Sequence, residues 1–381
     1  MINQEIEEIT LGEIDSALRI CLSTIRRNVQ QFRGTFLNQT AENGIYDEST
    51  SIQQLSGLWP GEMWLAFGLT SENSFRENAD KLLPYFSGYA AEMKNGSVEN
   101  AGFLFSPSCV HSWKSIKNKS AQKTALQAAG ALAEYYRPKG QFIQMTGKNG
   151  QPCCYCFSLE SLMSLPLLFW AGSEDTRQQY RDAAENHFNT VINNCITESG
   201  VVFEKFFMNP VDGQPVAGSS NSEYTGQSLQ AYIQAEALLG IALCYRYNRQ
   251  NDYIKSFRRL LSFFKSRLPP DMIPYWDMNI QSGDENSRDT AAAAIAACAL
   301  IQMSENYCPD VSDDETLSWR RNAKRIMKEL TGRYAVRDSE KSNGLLYAGS
   351  TRSKKQCTLR GDYFYLEALC RLRSPHFINC W

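Results

Sequence analysis

The sequence of 381 residues lacks a dominant charge, a long apolar run and a basic leader. Lysine and arginine total 39 against 41 acidic residues, a formal net charge of -2, which gives no electrostatic footprint for nucleic acid or an anionic membrane. No run of about 18 apolar residues occurs, as a membrane span would require. The first basic residue, Arg19, follows five acids, the opposite of a secretory signal: Glu5, Glu7, Glu8, Glu13 and Asp15. We therefore expect a cytoplasmic protein with reduced thiols.

The spacing patterns typical of metal and nucleotide sites are also missing from the sequence. Only three histidines occur, His111, His187 and His376, and none lies near a motif. The densest group of the 12 cysteines is Cys153-Cys154-Tyr155-Cys156, and no second Cys-x-x-Cys pair follows at zinc spacing. No glycine-rich phosphate loop follows a strand pattern. The sequence therefore predicts neither a cofactor nor a metal.

Helical periodicity covers most of the chain, whereas strand-like alternation is scarce. Segments 157–171 and 288–304 are apolar on all sides, while 250–267 and 314–332 carry charges between apolar stripes, as outer helices do. Inner helices paired with outer ones predict an all-α toroid of helical hairpins, although an open solenoid has the same periodicity. Because no linker rich in proline, serine or glycine divides the chain, we expect one domain over residues 1–381, with residues 1–12 as an N-terminal extension.

Eight short motifs follow one another between about residues 50 and 373. They are Gly57-Leu58-Trp59-Pro60-Gly61-Glu62-Met63-Trp64-Leu65-Ala66, Gly102-Phe103-Leu104, Leu165-Pro166-Leu167-Leu168-Phe169-Trp170-Ala171, Asn209-Pro210-Val211-Asp212-Gly213, 240–247, Pro274-Tyr275-Trp276-Asp277, Arg288-Asp289-Thr290-Ala291-Ala292-Ala293, and Gly361-Asp362-Tyr363-Phe364-Tyr365-Leu366-Glu367-Ala368-Leu369. In this order they resemble the unsaturated glucuronyl hydrolases, a glycoside hydrolase family built as an (α/α)6 barrel. Each motif alone is weak evidence, but eight in order favour this fold.

The resemblance implies a reaction as well as a fold. Members of that family remove a 4,5-unsaturated uronic acid from the end of an oligosaccharide that a polysaccharide lyase has produced. They hydrate the vinyl ether, and the resulting hemiketal collapses and releases the sugar. Two aspartates supply the acid and base, while histidine, arginine and tryptophans hold the sugar and its carboxylate.

This sequence departs from the family at nearly every chemical position. In chain order, the family's histidine, aspartate, second aspartate and second histidine correspond to Glu99, Asn100, Glu160 and Glu204. Where the family has Trp-Ala-Arg-Gly-Gln-Ala-Trp at a helix start, this chain has Gln230 first, Tyr232 for the arginine and Glu236 for the last tryptophan. An amide such as Asn100 has no useful proton to exchange in this role. The resemblance therefore implies a retained scaffold with a rewritten site.

Glu160 is the first candidate for a general acid. It is the only charged residue between Lys148 and Glu174, in a segment that is apolar around its circumference. Burial there would raise the pKa of its carboxyl toward the working range of an acid catalyst. The structural alternative is a buried glutamate whose hydrogen bonds go to Ser161 or Ser164.

Further candidates follow from the same comparison. With Glu160, the predicted catalytic residues are Asn100, Glu204 and Glu236, and the predicted substrate-binding residues are Trp59, Glu99, Gln230, Tyr232, Tyr275 and Trp276. The structural alternatives are an inter-helix hydrogen-bond network for Glu236 and a surface ion pair with Lys205 for Glu204. Asp289 is more typical of a helix N-cap than of a catalyst.

The substitutions predict a pocket that has lost a cation and gained carboxylates, provided that residues 99, 160, 204 and 236 converge in one cavity. Such a pocket repels a uronate and suits a neutral or cationic small molecule. The leading hypothesis is an acid/base glycoside hydrolase that protonates an enol ether or a glycosidic bond. An isomerase or cyclase acting on a natural-product intermediate and a non-catalytic ligand-binding relative are the alternatives.

Overall fold

The computed structural model describes residues 7–219, 229–280, 288–306, 308–337, 341–348, 356–374 and 377–381. Within them, the helices are α1 (Leu11–Phe32), α2 (Leu58–Thr70), α3 (Asn73–Glu92), α4 (Ala101–Phe105), α5 (His111–Ile116), α6 (Lys119–Glu134), α7 (Leu165–Glu174), α8 (Gln178–Cys195), α9 (Ala231–Asn248), α10 (Asn251–Ser266), α11 (Thr290–Glu305), α12 (Asp313–Glu329) and α13 (Leu359–Arg373). The fold is therefore mostly helical, as the periodicity predicts.

Short strands connect some of these helices. They are β1 (Phe36–Leu37), β2 (Thr40–Ala41), β3 (Glu48–Ser49), β4 (Tyr136–Arg137), β5 (Phe142–Ile143), β6 (Cys156–Ser158), β7 (Lys205–Met208), β8 (Pro215–Ser219), β9 (Tyr347–Ala348) and β10 (Gln356–Thr358). They pair antiparallel in four small sheets, β1–β3, β2–β10–β9, β4–β5 and β6–β7–β8. Two of these sheets lead directly into the region of the candidate site, because β10 precedes α13 and β6 precedes Glu160.

The described helices form two concentric rings. The inner ring runs α2, α4 with α5, α7, α9, α11, α13 and back to α2, each member packing on the next. The outer helices α1, α3, α6, α8, α10 and α12 pack against this ring. Six inner and six outer positions make an (α/α)6 barrel, which confirms the predicted fold class and excludes the open solenoid.

Burial separates the two rings as the sequence predicts. In the inner helix α11, every residue from Thr290 to Met303 is buried, and its many alanines let neighbouring helices approach closely. In the outer helix α12, only Trp319, Ala323, Ile326 and Met327 are buried, one stripe of an otherwise charged helix. The buried apolar side chains of the described residues form one continuous core. None of the described helices combines the length and apolarity needed to cross a bilayer.

One predicted helix is divided in the structure. Instead of a helix over 157–171, the chain forms the strand β6, a 3₁₀ turn over Leu159–Ser164, and then α7. The strand forms because β6 pairs with β7, and the N–H of Leu159 donates to the carbonyl of Glu204 at 2.8 Å. Pro166 lies in the first turn of α7, where its missing N–H costs nothing. The apolar character that predicted a helix reflects burial of a non-helical segment.

The predicted extension over residues 1–12 is too long. Ile9 is buried, and Glu8 forms an ion pair with Lys324 of α12 at 2.9 Å. Thr10 caps α1 in a capping box with Glu13, so residues 11 and 12 already belong to the helix. Residues 1–6 lie outside the described residues. The described part of the N-terminal segment is therefore attached to the barrel.

A buried polar network closes the barrel at the carboxyl ends of α11 and α13. The Nε and Nη2 atoms of Arg371 donate to Glu367 at 2.8 and 2.5 Å, and Nη1 donates to Gln302 at 2.8 Å. The indole N–H of Trp381 donates to the second carboxylate oxygen of Glu367 at 2.9 Å, while its ring stacks on Phe364. Each charge of this pair thus has hydrogen-bond partners, as buried ions require.

Replacing the Trp381 indole tests how much this closure contributes. Trp381→Ala should lower the free energy of unfolding by about 3–5 kcal/mol, because it leaves a large cavity and removes a donor from a buried carboxylate. Ile378→Ala, at an exposed side chain of the same segment, should change it by about 0.5 kcal/mol. Urea denaturation followed by circular dichroism measures both. Equal effects would show that the segment is attached without the indole.

Candidate functional site

The amino ends of three inner helices meet at one end of the barrel. Gln230, Asp289 and Thr358 are the N-caps of α9, α11 and α13. The Asp289 carboxylate accepts from the N–H of Ala292 at 2.9 Å, and the Thr358 hydroxyl accepts from the N–H of Gly361 at 3.1 Å. The prediction that Asp289 caps a helix is confirmed. Because helix amino ends carry partial positive charge, this end of the barrel favours acidic side chains and anions.

A cavity of 190 Å³ opens beside these helix ends. Its lining consists of Gln39, Thr40, Leu55, Tyr232, Asp289, Ala291, Ala348, Thr358 and Arg360. A larger cavity of 550 Å³ lies on the outside of the barrel, between α1 and the segment after α12. The smaller cavity is the candidate site, because Tyr232, Asp289 and Arg360 line it and Arg360 contacts two of the predicted acids. None of the glutamates at 99, 160, 204 and 236 is itself among its lining residues.

Arg360 is the charge around which the site is arranged. Its Nε lies 2.7 Å from Oε1 of Glu236, and its Nη2 lies 3.9 Å from Oε1 of Glu160. The guanidinium carbon lies 4.5 Å from the ring centroid of Tyr232, a cation–π distance. The substitutions predict that the pocket has lost a cation, yet Arg360 supplies a guanidinium there from outside the substituted motif. Arg360 comes from the first turn of α13 and lies against the tyrosine that stands in the family's arginine position.

Glu236 is the buried acid of the site. Its side chain is 0% exposed, and neither carboxylate oxygen has a well-aligned hydrogen-bond partner among the described residues. Burial raises the pKa of Glu236 to about 8; Arg360 opposes this shift, whereas Glu160 and Asp289 add to it. The carboxyl group of Glu236 is therefore largely protonated near neutral pH.

Glu160 occupies a different environment from the one that the sequence predicts. It lies in the 3₁₀ turn rather than in an all-apolar helix, and its side chain is 21% exposed. The Ser161 hydroxyl bonds to the carbonyl of Ser158, and Ser164 accepts from the N–H of Gly102 at 3.0 Å. These serines have partners of their own, and the Glu160 carboxylate instead faces Arg360. The completely buried glutamate that the sequence analysis expects at position 160 is instead Glu236.

A histidine that the sequence does not single out supports the turn carrying Glu160. The Nδ1 atom of His187 accepts from the N–H of Ile143 at 2.9 Å, so its Nε2 carries the proton and donates to the Ser161 hydroxyl at 2.8 Å. Burial lowers the pKa of His187 to about 3, so the ring stays neutral. His187 on α8 thus holds the turn that carries Glu160 through the neighbouring Ser161. No sequence pattern indicates this contact between α8 and the turn.

The other two predicted acids, Glu99 and Glu204, influence the same cluster electrostatically. Burial raises the pKa of Glu99, the nearby Lys205 lowers it and Glu160 raises it again. The pKa of Tyr232 is raised first by burial and then by Glu160, with Arg360 opposing and Glu236 and Glu204 adding to the shift. Glu99 thus lies within electrostatic reach of Glu160, and Glu160, Glu204 and Glu236 lie within electrostatic reach of Tyr232.

Asn100 and Gln230 take part in backbone turns at the site. Asn100 is half-buried, has a left-handed backbone (φ 64°), and precedes α4. Gln230 pairs through its backbone with Asp277, and the N–H of Ala231 donates to the carbonyl of Trp276 at 2.9 Å. The loop with Trp276 is therefore attached to the start of α9, which carries Tyr232.

The structure places two predicted substrate contacts, Trp59 and Tyr275, away from the lining of the candidate cavity. The side chain of Trp59 is 1% exposed and lies in the core at the start of α2, because the Trp-Pro-Gly motif forms a helix start rather than a pocket wall. Tyr275 is buried beneath Arg288, whose guanidinium carbon lies 4.3 Å from its ring centroid, and it lines a different cavity. Aromatic residues in short motifs were not distinguishable from core residues by sequence.

The described residues contain no cluster of three or more histidine, cysteine, aspartate or glutamate side chains suited to a metal ion. All twelve cysteines lie in the described part of the chain and carry free thiols. His376 lies outside the described residues. Among the described residues, the chemistry of the site rests on carboxyl groups, a guanidinium and a phenol.

Known proteins are similar to this chain in sequence and in architecture. The chain is 30% identical over 364 residues to the unsaturated chondroitin disaccharide hydrolase of Streptococcus pyogenes serotype M1, covering 94% of this chain and 91% of that protein. The crystal structure of the unsaturated glucuronyl hydrolase from Streptococcus agalactiae matches with a TM-score of 0.91 at 28% identity, covering 98% and 95% of the two chains. That from Bacillus sp. GL1 matches with a TM-score of 0.87 at 29% identity, covering 94% and 96%. No protein-family profile matches the chain.

The raised pKa of Glu236 makes stability depend on pH. Because its pKa of about 8 exceeds the unfolded value of about 4.3, the proton stabilises the folded state fully below pH 4.3, and this stabilisation is lost as pH rises through 8. Between those limits, the free energy of unfolding should fall by up to about 1.4 kcal/mol per pH unit. Glu236→Gln should remove this component, so urea denaturation at pH 6, 7 and 8 should give a flatter dependence than wild type.

The matched control is Glu77→Gln, which removes an acid from the exposed surface of α3. It corrects for the general effect of losing one carboxyl group. Parallel pH dependences for wild type and Glu236→Gln would mean that Glu236 binds no extra proton in the folded state.

Proposed function

Because the chain belongs to the unsaturated glucuronyl hydrolase family and is an enzyme of the glycoside hydrolase type, we propose that it releases a terminal sugar from an oligosaccharide by acid/base catalysis. Glu160 is the proposed acid, and the bond it protonates is an enol ether or a glycosidic bond. The observation that carries this proposal is that the partly exposed Glu160 carboxylate faces Arg360. Arg360 lines the cavity, and the buried Glu236 contacts the same guanidinium.

Exposure distinguishes the roles of the two glutamates. A proton donor must reach the substrate directly or through one water molecule. Glu160 is 21% exposed, whereas Glu236 is 0% exposed. Glu160 is therefore the group that meets the substrate, and Glu236 influences it from behind Arg360.

The charge of the site supports a neutral or cationic terminal sugar. The described cluster contains the acids Glu99, Glu160, Glu204, Glu236 and Asp289 and the bases Arg360 and Lys205. Arg360 already contacts two of the carboxylates, so it offers a uronate less than a free guanidinium would. A substrate carboxylate in this environment also meets like charges, which cost several kcal/mol when they are desolvated.

The proposed reaction begins with proton transfer from Glu160. Its O–H bond breaks while one of two bonds forms. Either a C–H bond forms on the enol ether, or an O–H bond forms on the glycosidic oxygen as the glycosidic C–O bond breaks and the rest of the oligosaccharide leaves. Both routes give an oxocarbenium-like cation. The neighbouring carboxylates and the ring of Tyr232 stabilise that cation. Water then adds to the cationic carbon and returns one proton to Glu160. On the enol-ether route, the resulting hemiketal collapses and releases the sugar. Asn100 supplies no proton in this scheme, because an amide neither gives nor takes one at neutral pH.

Esterification of a uronyl disaccharide tests the charge preference with a single change. The methyl ester of an unsaturated chondroitin disaccharide should have a kcat/KM at least about tenfold higher than that of the free acid, because the ester removes only the charge. Loss of the ultraviolet absorbance of the double bond measures both reactions. Nitrophenyl glycosides of a neutral and an amino sugar extend the panel. A free acid turned over at about 1–10³ s⁻¹ and faster than its ester would contradict the proposed preference.

Glu160→Gln tests the proposed acid. The variant keeps the size of the side chain but loses its transferable proton, so it should fold with a melting temperature near that of wild type and lose about 10²–10⁴ in kcat. Glu204→Gln is the matched variant and should cost less, because that carboxylate only stabilises charge in this scheme. Full turnover by a folded Glu160→Gln protein would remove Glu160 from the mechanism.

A further inference from the structure

We propose that Glu236 and Glu160 share one proton across Arg360, so that Glu236 is a positioning residue that holds the proton Glu160 delivers. This inference rests on the proposed function, because it assigns Glu236 a part in the same acid/base step. The glutamate, Glu236, is at the position where the resemblance implies a tryptophan. The arginine, Arg360, is not predicted by any motif.

The first argument is that the Glu236 carboxyl is buried with one nearby cation but without a well-aligned hydrogen bond among the described residues. It is completely enclosed, and its oxygens lack well-aligned hydrogen-bond partners among the described residues. The Arg371–Glu367 pair at the other end of the barrel is equally buried, but there both carboxylate oxygens accept hydrogen bonds from Arg371 and Trp381. An ionised carboxylate in the Glu236 environment is costly, and protonation is the cheapest way to bury it.

The second argument is that Arg360 joins the two glutamates. One guanidinium contacts Glu236 at 2.7 Å and Glu160 at 3.9 Å. Two carboxylates beside a single cation carry a net charge of -1 when both are ionised, whereas one shared proton makes the group neutral. Like charges held close in a poorly solvated site bind such a proton strongly.

The acids around Glu236 favour its protonated form, and Arg360 opposes them. Tyr232 lies on the same helix as Glu236, Glu160 on the 3₁₀ turn, Arg360 on α13 and Asp289 at the start of α11, and Glu204 lies within electrostatic reach of Tyr232. Glu160 and Asp289 raise the pKa of Glu236, and Arg360 alone among its named neighbours lowers it. Burial and the neighbouring acids outweigh Arg360, so the proton stays on Glu236 near neutral pH. Arg360 remains in place to stabilise the Glu236 carboxylate when the proton leaves.

The proposed step conserves one proton. The O–H bond of Glu236 breaks and an O–H bond forms on Glu160, directly or through one water molecule, while Arg360 stabilises the new Glu236 carboxylate. Glu160 then gives that proton to the substrate. When water adds to the substrate cation, its proton returns to Glu160 and then to Glu236, and the pair is restored. No oxidant, metal or co-reactant is required.

Infrared spectroscopy tests the shared proton without any substrate. A protonated carboxyl group absorbs at a different infrared frequency from a carboxylate. The difference spectrum between wild type and Glu236→Gln therefore isolates the band of Glu236. This band should be present at pH 7 and disappear as pH rises above about 8. Glu236→Met gives the same difference spectrum if the glutamine variant does not fold.

Two further variants test the interaction with Glu160. Glu160→Gln removes a like charge and should move the disappearance of the Glu236 band to lower pH by about one unit or more, whereas Arg360→Met should move it to higher pH. Glu305→Gln is the control, because it removes an acid 3.8 Å from Arg371 at the other end of the barrel, and it should leave the band unchanged. Absence of the band at pH 7, or a titration that Glu160→Gln does not move, would overturn the shared proton.

Turnover separates this inference from the proposed function. With an active substrate, Glu236→Gln should lower kcat by about 10–100-fold with little change in KM, and the alkaline decline of kcat should shift. A shifted infrared titration without turnover of any tested sugar would contradict the proposed function and leave the shared proton standing. Turnover with an unchanged kcat in Glu236→Gln would uphold the hydrolase and overturn the role of Glu236.

Discussion

Closure of six inner helices into a ring is the constraint on which the site depends. Because α9, α11 and α13 are neighbours that run in the same direction, their amino ends meet at one end of the barrel and their carboxyl ends at the other. The amino ends carry partial positive charge, which favours acidic side chains there. Tyr232, Asp289 and Arg360 reach one cavity because each lies at or near the start of its helix. Ring closure therefore assembles the site from residues that are more than fifty positions apart.

Each end of the barrel contains a buried arginine–glutamate pair, and the two pairs differ in their hydrogen bonds. Arg371 and Glu367 lie in a network in which Gln302 and Trp381 supply further hydrogen bonds, so this pair stabilises the closed end. Arg360 and Glu236 are in contact, but the carboxylate oxygens of Glu236 lack well-aligned donors among the described residues. A satisfied pair fixes structure, whereas a carboxyl group that is buried without donors takes up a proton. This difference is the physical basis for assigning chemistry to one end of the barrel.

Relative to the family pattern, charge in the site has moved as well as changed. In the correspondence that the resemblance implies, Tyr232 takes the family's arginine position, yet a guanidinium lies on the ring of that tyrosine because Arg360 enters from α13. The last tryptophan position of the motif is occupied by Glu236, which pairs with the incoming arginine. The substitutions within that one motif suggest that the pocket has lost its positive charge, because they leave out Arg360, which comes from another helix. The pocket holds a cation, and that cation is already shared by two acids.

The sequence by itself determined the helical pairs, the inner and outer rings and most of the acids of the site, because periodicity and the order of motifs are local properties. Glu160, Glu204, Glu236 and Tyr232 were identified in this way. Only the tertiary structure decided which glutamate is buried, because burial depends on what other helices place around a side chain. Glu160 is partly exposed since β6–β7 pairing replaces the predicted helix, and Glu236 is enclosed beneath Arg360. Trp59 and Arg360 follow the same rule: packing of distant segments put the first in the core and the second in the cavity.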